Sequence, residues 1–158
     1  FGPRGAEALA ASPRLGALRA LLVGGVPLGD AGVAALVRSP HLHGLRDLGL
    51  NGVGVGPDGV RALVDAGVRG LHKLNLWKNP VGDAEVVALA SATPHLTKLD
   101  LSETAVTLDG LLALIKGSAW PHLSILTARQ LVPSQQTADR RRLEAAVAAR
   151  RPHLALTL

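Results

Sequence analysis

The chain has 158 residues and a formal charge of +5; 47% of it is apolar and only 2% aromatic. That length allows one domain with an aliphatic core and barely a second, and the apolar content excludes intrinsic disorder. Cysteine is absent, which excludes a disulfide framework, cysteine-ligated zinc, iron–sulfur clusters and thiol nucleophiles, and neither a ~18-residue apolar run nor a signal-peptide pattern is present.

The chain opens on Phe1-Gly-Pro-Arg-Gly-Ala-Glu-Ala-Leu9, whose apolar spacing predicts a short helix. Leu18-Leu21-Val23 follows, a degenerate copy of the pattern L-x-x-L-x-L, and then Leu28-Gly-Asp-Ala-Gly-Val-Ala-Ala-Leu36. Both patterns return in the same order. The first recurs as Leu45-Leu48-Leu50, Leu71-Leu74-Leu76, Leu96-Leu99-Leu101 and, with a late substitution, Leu123-Leu126-Ala128. The second recurs as Val55-Gly-Pro-Asp-Gly-Val-Arg-Ala-Leu63, Val81-Gly-Asp-Ala-Glu-Val-Val-Ala-Leu89 and Val106-Thr-Leu-Asp-Gly-Leu-Leu-Ala-Leu114. Successive first leucines are 27, 26, 25 and 27 residues apart. Such a period marks a stack of similar units.

In L-x-x-L-x-L the last two leucines are two apart, the period of a strand with one buried face. The other block spaces Val33, Leu36 and Val37, or Val86, Leu89 and Ala90, three and four apart, as an amphipathic helix does. Asp30, Asp58, Asp83 and Asp109 fall near the helix starts, where capping and the helix dipole account for them. Each unit therefore reads as strand, turn, helix and return loop. One unit cannot bury its apolar side alone, whereas stacked units form a continuous core. Beyond the last copy, Gln135 to Arg151 predicts a longer, more polar helix with Leu143, Ala146 and Val147 on its apolar side, and His153 to Leu158 a last edge strand.

The two blocks together resemble the leucine-rich repeat, and the helical Gly-Asp-Ala-Gly-x-x-Ala-Leu half is similar to its ribonuclease-inhibitor-like class. The resemblance implies an α/β, right-handed leucine-rich-repeat solenoid with a parallel concave β-sheet and convex helices. Residues 1–130 are expected to form the repeats, the first cut to its helical half, and residues 131–158 a capping helix and edge strand. Beginning mid-repeat and without methionine, the sequence is read as part of a longer protein. The family's asparagine after the strand is matched by Asn79 alone; Val26, Val53, Thr104 and Leu131 stand in its place, which implies an incomplete side-chain ladder and looser turns.

The charge is uneven. Residues 1–128 hold 11 basic and 10 acidic side chains, while residues 129–158 hold 6 and 2. The excess lies chiefly in Arg140, Arg141, Arg142, Arg150 and Arg151, read as the solvated polar face of a terminal cap. Gly54-Val-Gly56-Pro-Asp-Gly59 fits G-x-G-x-x-G, yet Gly56 aligns with Gly29 and Gly82, and Gly59 with Gly32 and Gly110. These are repeat positions, and Pro57 intrudes on a dinucleotide loop. His41, His95, His122 and His153 sit in Pro-His-Leu return loops, about one rung apart rather than converging as metal ligands must. No nucleophile elbow, Walker loop or H-E-x-x-H occurs; neither catalysis nor a cofactor nor a metal is expected.

The positions between the inward leucines should face solvent on the sheet. They gather Asp47, Asn51, Lys73, Asn75, Trp77, Lys98, Asp100, Ser102 and Arg129, with Trp77 central. An exposed tryptophan is a strong binding anchor; the competing reading folds Trp77 over a neighbouring repeat. Trp120, before Pro121, is expected to pack in its loop. The functional expectation is a protein–protein interaction module, a sensor or scaffold domain in the cytoplasm of a bacterium, whose partner is another protein or another domain of the same polypeptide. Two alternatives stand beside it: nucleic-acid or anionic-surface binding through the basic C-terminal helix, and an autoinhibitory or structural segment packing on its own chain. Membrane insertion is not expected.

Overall fold

The computed structural model describes residues 2–130 and 137–158; Phe1, Leu131 and the first residues of the predicted cap lie outside them. Helices and strands alternate throughout: α1 Pro3–Ala10, β1 Ala20–Leu22, α2 Gly29–Val37, β2 Asp47–Gly49, α3 Pro57–Ala66, β3 Lys73–Asn75, α4 Asp83–Ala92, β4 Lys98–Asp100, α5 Leu108–Lys116, β5 Ile125–Thr127, α6 Thr137–Arg150 and β6 Ala155–Thr157. The six strands form one parallel sheet in chain order. This is the α/β repeat solenoid expected, with the strand of residues 155–157 added to the same sheet.

The register joins equivalent residues of successive units. Leu21, Leu48, Leu74, Leu99, Leu126 and Leu156 form one row, and Asp47, Lys73, Lys98 and Ile125 lie in the adjacent one. Pairing runs one bond past each three-residue strand, since the third motif residue donates its amide to the next rung: Leu50 to Asn75 O, Leu76 to Asp100 O and Leu101 to Thr127 O, each at 2.9, 2.9 and 2.8 Å. The leucines Leu50, Leu76 and Leu101 have no exposed surface and meet Val33, Leu63, Leu89 and Leu111 from the helices in one core. At roughly 2 kcal/mol per buried leucine, an isolated unit has too little to offset its ordering entropy, so stacking is what makes each rung stable.

Two residues past each motif the backbone turns left-handed, at Gly25, Gly52, Lys78, Glu103 and Gln130 (φ 75, 62, 57, 51 and 65°). The conformation extends the ladder, because Gly25, Gly52, Lys78 and Glu103 donate their amides to Asn51, Trp77, Ser102 and Arg129 carbonyls. Glycine meets that need without a Cβ; a side chain there costs about 1 kcal/mol. The first two rungs use glycine and the next three do not.

Asn79 holds the turn as the resemblance implied. It is buried (3% exposed). Its Oδ1 accepts the amides of Gly54 and Val55 at 2.9 and 3.0 Å, while Nδ2 donates to Leu50 O, Leu76 O and Trp77 O at 2.7, 3.0 and 3.2 Å. Elsewhere the rung is closed differently: Val53 packs in the core, and Thr104 Oγ1 donates to Leu101 O at 2.6 Å.

Two sequence expectations need correction. The helix-start carboxylates do not share one task. Asp30 accepts the Gly56 amide of the next rung at 2.6 Å, and Asp83 accepts the Thr107 amide and hydroxyl at 2.8 and 2.6 Å. They cross-link neighbouring units, whereas Asp58 makes only an exposed ion pair with Arg61. The second correction concerns the basic tail. Arg151 is buried, 6% exposed, and its guanidinium donates to the carbonyls of Ile115, Gly117, Ala119 and Trp120. Desolvation lowers its pKa from the usual arginine value. It fastens the cap to the α5–β5 loop and is no part of a solvated face. Trp120 in that loop is buried, its Nε1 donating to Thr93 Oγ1 at 2.7 Å.

Candidate functional site

The sheet face opposite the helices carries the side chains that the core does not need. In its first two rungs it presents Ala20, Leu22, Gly24 and Gly49 beside Asp47 and Asn51; Leu22 is 75% exposed. A Cβ on Gly49 would strike Leu22, and one on Gly24 would strike the amide of Asn51, so these glycines let the neighbouring side chains lie across the rung. In the next three rungs the face turns polar.

Asp47, Lys73, Asn75, Lys98 and Asp100 line a shallow depression of about 380 Å³ with Leu22, Ile125 and Thr127 at its sides. Lys73 and Lys98 are register partners, on strands about 4.8 Å apart, and therefore repel. Lys73 leans back to Asp47, Nζ to Oδ2 at 2.6 Å. This exposed pair contributes under ~1 kcal/mol, but it fixes the direction of Lys73. Lys98 has no carboxylate within 4 Å among the described residues.

Trp77 stands just beyond β3, 37% exposed. Its backbone amide donates to Asn75 Oδ1 at 2.9 Å, and the next rung repeats the turn with Ser102 donating to Asp100 Oδ1 at 2.9 Å. Such Asx turns bend the chain sharply out of the strand. The indole Nε1 donates to Glu103 Oε1 at 2.9 Å, and Lys78 Nζ lies 6.0 Å from the ring centroid, the outer reach of a cation–π contact. Beside the ring, a second hollow of about 410 Å³ is lined by Trp77, Asp100, Glu103, Thr127, Arg129 and Gln130, with Ser102 at its floor.

The structure brings Asp47, Asn51, Lys73, Asn75, Trp77, Lys98, Asp100 and Arg129 onto one face, half-buried or exposed. Ser102 departs from expectation: it is buried (4% exposed), and its hydroxyl accepts the Arg129 amide at 3.0 Å. Three neighbours of the ring escaped the sequence reading, Lys78, Glu103 and Gln130. Their signal was the column in which they replace Gly25 and Gly52, which a strand-alternation argument does not reach because it lies beyond the strand.

Away from this face, an apolar hollow of about 130 Å³ lies where the longer return loop before β2 meets the shorter one before β3; His43 and Arg69 are the polar side chains in its lining. His95 and His122 stack with ring centroids 6.2 Å apart, and among the described residues no three His, Asp or Glu side chains group as a metal site. No helix among them is long and apolar enough to cross a membrane.

No curated protein matches the chain. The family model described as Leucine Rich repeat matches residues 93–114, which run from the end of α4 through β4 and most of α5. Residues 93–114 are thus similar to a leucine-rich repeat, and the strand–turn–helix units on either side continue the same α/β repeat solenoid.

Proposed function

We propose that this protein is a non-catalytic recognition module that binds another protein, or another domain of its own polypeptide, on the sheet face around Trp77. The observation that supports the reading is the indole itself, a large apolar surface left 37% exposed and oriented by Glu103 amid polar side chains. Buried aromatic anchors ringed by polar groups dominate binding energy at protein interfaces. The leucine-rich-repeat character supports interaction in general, and on resemblance alone we read the module as a sensor or scaffold part of a larger cytoplasmic protein. The basic-helix alternative loses one cation, since Arg151 is turned inward.

Pull-down from the source lysate tests this with wild type, Trp77→Ala, an Arg140/Arg141/Arg142→Ala triple variant and Val87→Ala. Val87 is exposed on α4, on the helix side, and serves as the opposite-face control. A protein retained by wild type, the arginine variant and Val87→Ala but lost with Trp77→Ala is the expected result, all four melting at similar temperatures. Salt-sensitive capture of nucleic acid, lost only with the arginine variant, would move the function to the cap.

A further inference from the structure

Resting on the sheet-face reading, we infer that the partner contributes an acidic segment, whose carboxylates meet Lys98 and Arg129 while an apolar side chain covers Trp77. Two independent observations lead there.

The first is which charges on the face are already engaged. Each carboxylate has an internal donor: Asp47 holds Lys73, Asp100 accepts the Ser102 amide, and Glu103 accepts the Trp77 indole. Among the cations only Lys73 is ion-paired; Lys98 and Arg129 are exposed and have no carboxylate within 4 Å among the described residues. An acidic group on a ligand would meet Lys98 and Arg129 without such a carboxylate partner, on a face where Lys73, Lys78, Lys98 and Arg129 outnumber Asp47, Asp100 and Glu103. Complementarity of this kind selects the partner and speeds its encounter.

The second is where the backbone accepts strain. Lys78, Glu103 and Gln130 take left-handed conformations that Gly25 and Gly52 fill in the first rungs. Residues held in such conformations cluster at ligand-binding and catalytic sites. Here Glu103 fixes the indole and Lys78 lies toward its ring. The strained column and the unpaired cations occupy the same three rungs, while the rungs before them present mainly small or apolar residues on the face. The recognition surface is therefore the β3–β5 half of the sheet.

A phage-displayed random dodecapeptide library panned against the whole protein supplies the probes. Enriched peptides are synthesised with a fluorescein label and titrated by anisotropy against wild type, Lys98→Glu, Arg129→Glu, Trp77→Ala and Arg141→Glu. The expected peptides carry an excess of Asp and Glu and weaken by about tenfold or more with each of the first three variants, while Arg141→Glu leaves binding within about twofold. Neutral or basic peptides, or peptides indifferent to Lys98→Glu and Arg129→Glu, overturn the inference; if Trp77→Ala still abolishes their binding, the sheet-face reading survives without it. Indifference to Trp77→Ala as well, or no enrichment at all, overturns both. A labelled oligothymidylate that binds more tightly than any peptide and is released by Arg141→Glu also overturns both.

Discussion

Removing the amide of Asn79 should unfasten the turn that carries Trp77. The side chain contacts backbone groups of Leu50, Gly54, Val55, Leu76 and Trp77, its Oδ1 accepting two amides and its two Nδ2 hydrogens shared among three carbonyls. Gly54 and Trp77 reach solvent, so water can replace those two. Leu50, Val55 and Leu76 have no exposed surface, and an orphaned buried amide or carbonyl costs at least about 1 kcal/mol. Asn79→Ala should therefore lose about 3 kcal/mol or more, a large part of the 5–15 kcal/mol typical of a domain. Asn79→Asp keeps the shape and the acceptor but aims a carboxylate at three carbonyls. Its folded-state pKa would lie above the unfolded value, so the variant loses stability as pH rises through the carboxylate range and regains it in acid. Urea unfolding followed by far-ultraviolet circular dichroism measures both. A loss below about 1 kcal/mol for Asn79→Ala, or an Asn79→Asp profile as flat as wild type, would refute the account of this side chain as the rung's fastening.

Two further substitutions follow from the same geometry. Gly52→Ala should cost about 1 kcal/mol, because its φ is +62° and open space surrounds the new Cβ, leaving backbone strain as the sole cause; Lys78→Gly should gain up to a similar amount at a φ of 57°. Equal urea midpoints for both variants and wild type would contradict that explanation. Arg151→Met should lose about 1–3 kcal/mol by leaving the buried Ile115 carbonyl without its donor, and should speed amide exchange in α6, whereas Arg141→Ala should stay within about 0.5 kcal/mol. Unchanged exchange in α6 would show that the cap is held by its apolar contacts alone.

The charged face and the stacking order are linked by the length of the repeat. Because equivalent residues of successive rungs are register partners, a residue's position in its own unit decides which side chains it meets in the next. Lys73 lies between Asp47 and Lys98 for this reason alone, and the choice of Asp47 leaves Lys98 without a carboxylate partner among the described residues. Similarly Trp77 finds Glu103, 26 residues on, by stepping one column sideways along the turn. Recognition chemistry on such a surface is written in columns across the rungs, so a single substitution alters the pairing of both neighbours.

Periodicity by itself determined the strands, the helices, their alternation and the buried leucines, because period 2 and period 3.6 each leave one side apolar and only stacking buries it. It also gave Asp47, Lys73 and Lys98 one face, since alternation fixes side-chain direction within a strand. The tertiary structure decided what alternation cannot express. Ser102 sits where the chain is already turning out of the strand, so its hydroxyl is drawn down to the Arg129 amide. Arg151 resembles its neighbours in composition, yet it lies where the cap meets four carbonyls at the end of α5 and in the α5–β5 loop. Asp30 and Asp83 reach the next rung because they stand at the first turn of their helices, beside the next unit's helix start. Each of these depends on which unpaired backbone group lies across the rung, and that is a property of the stack rather than of any one repeat.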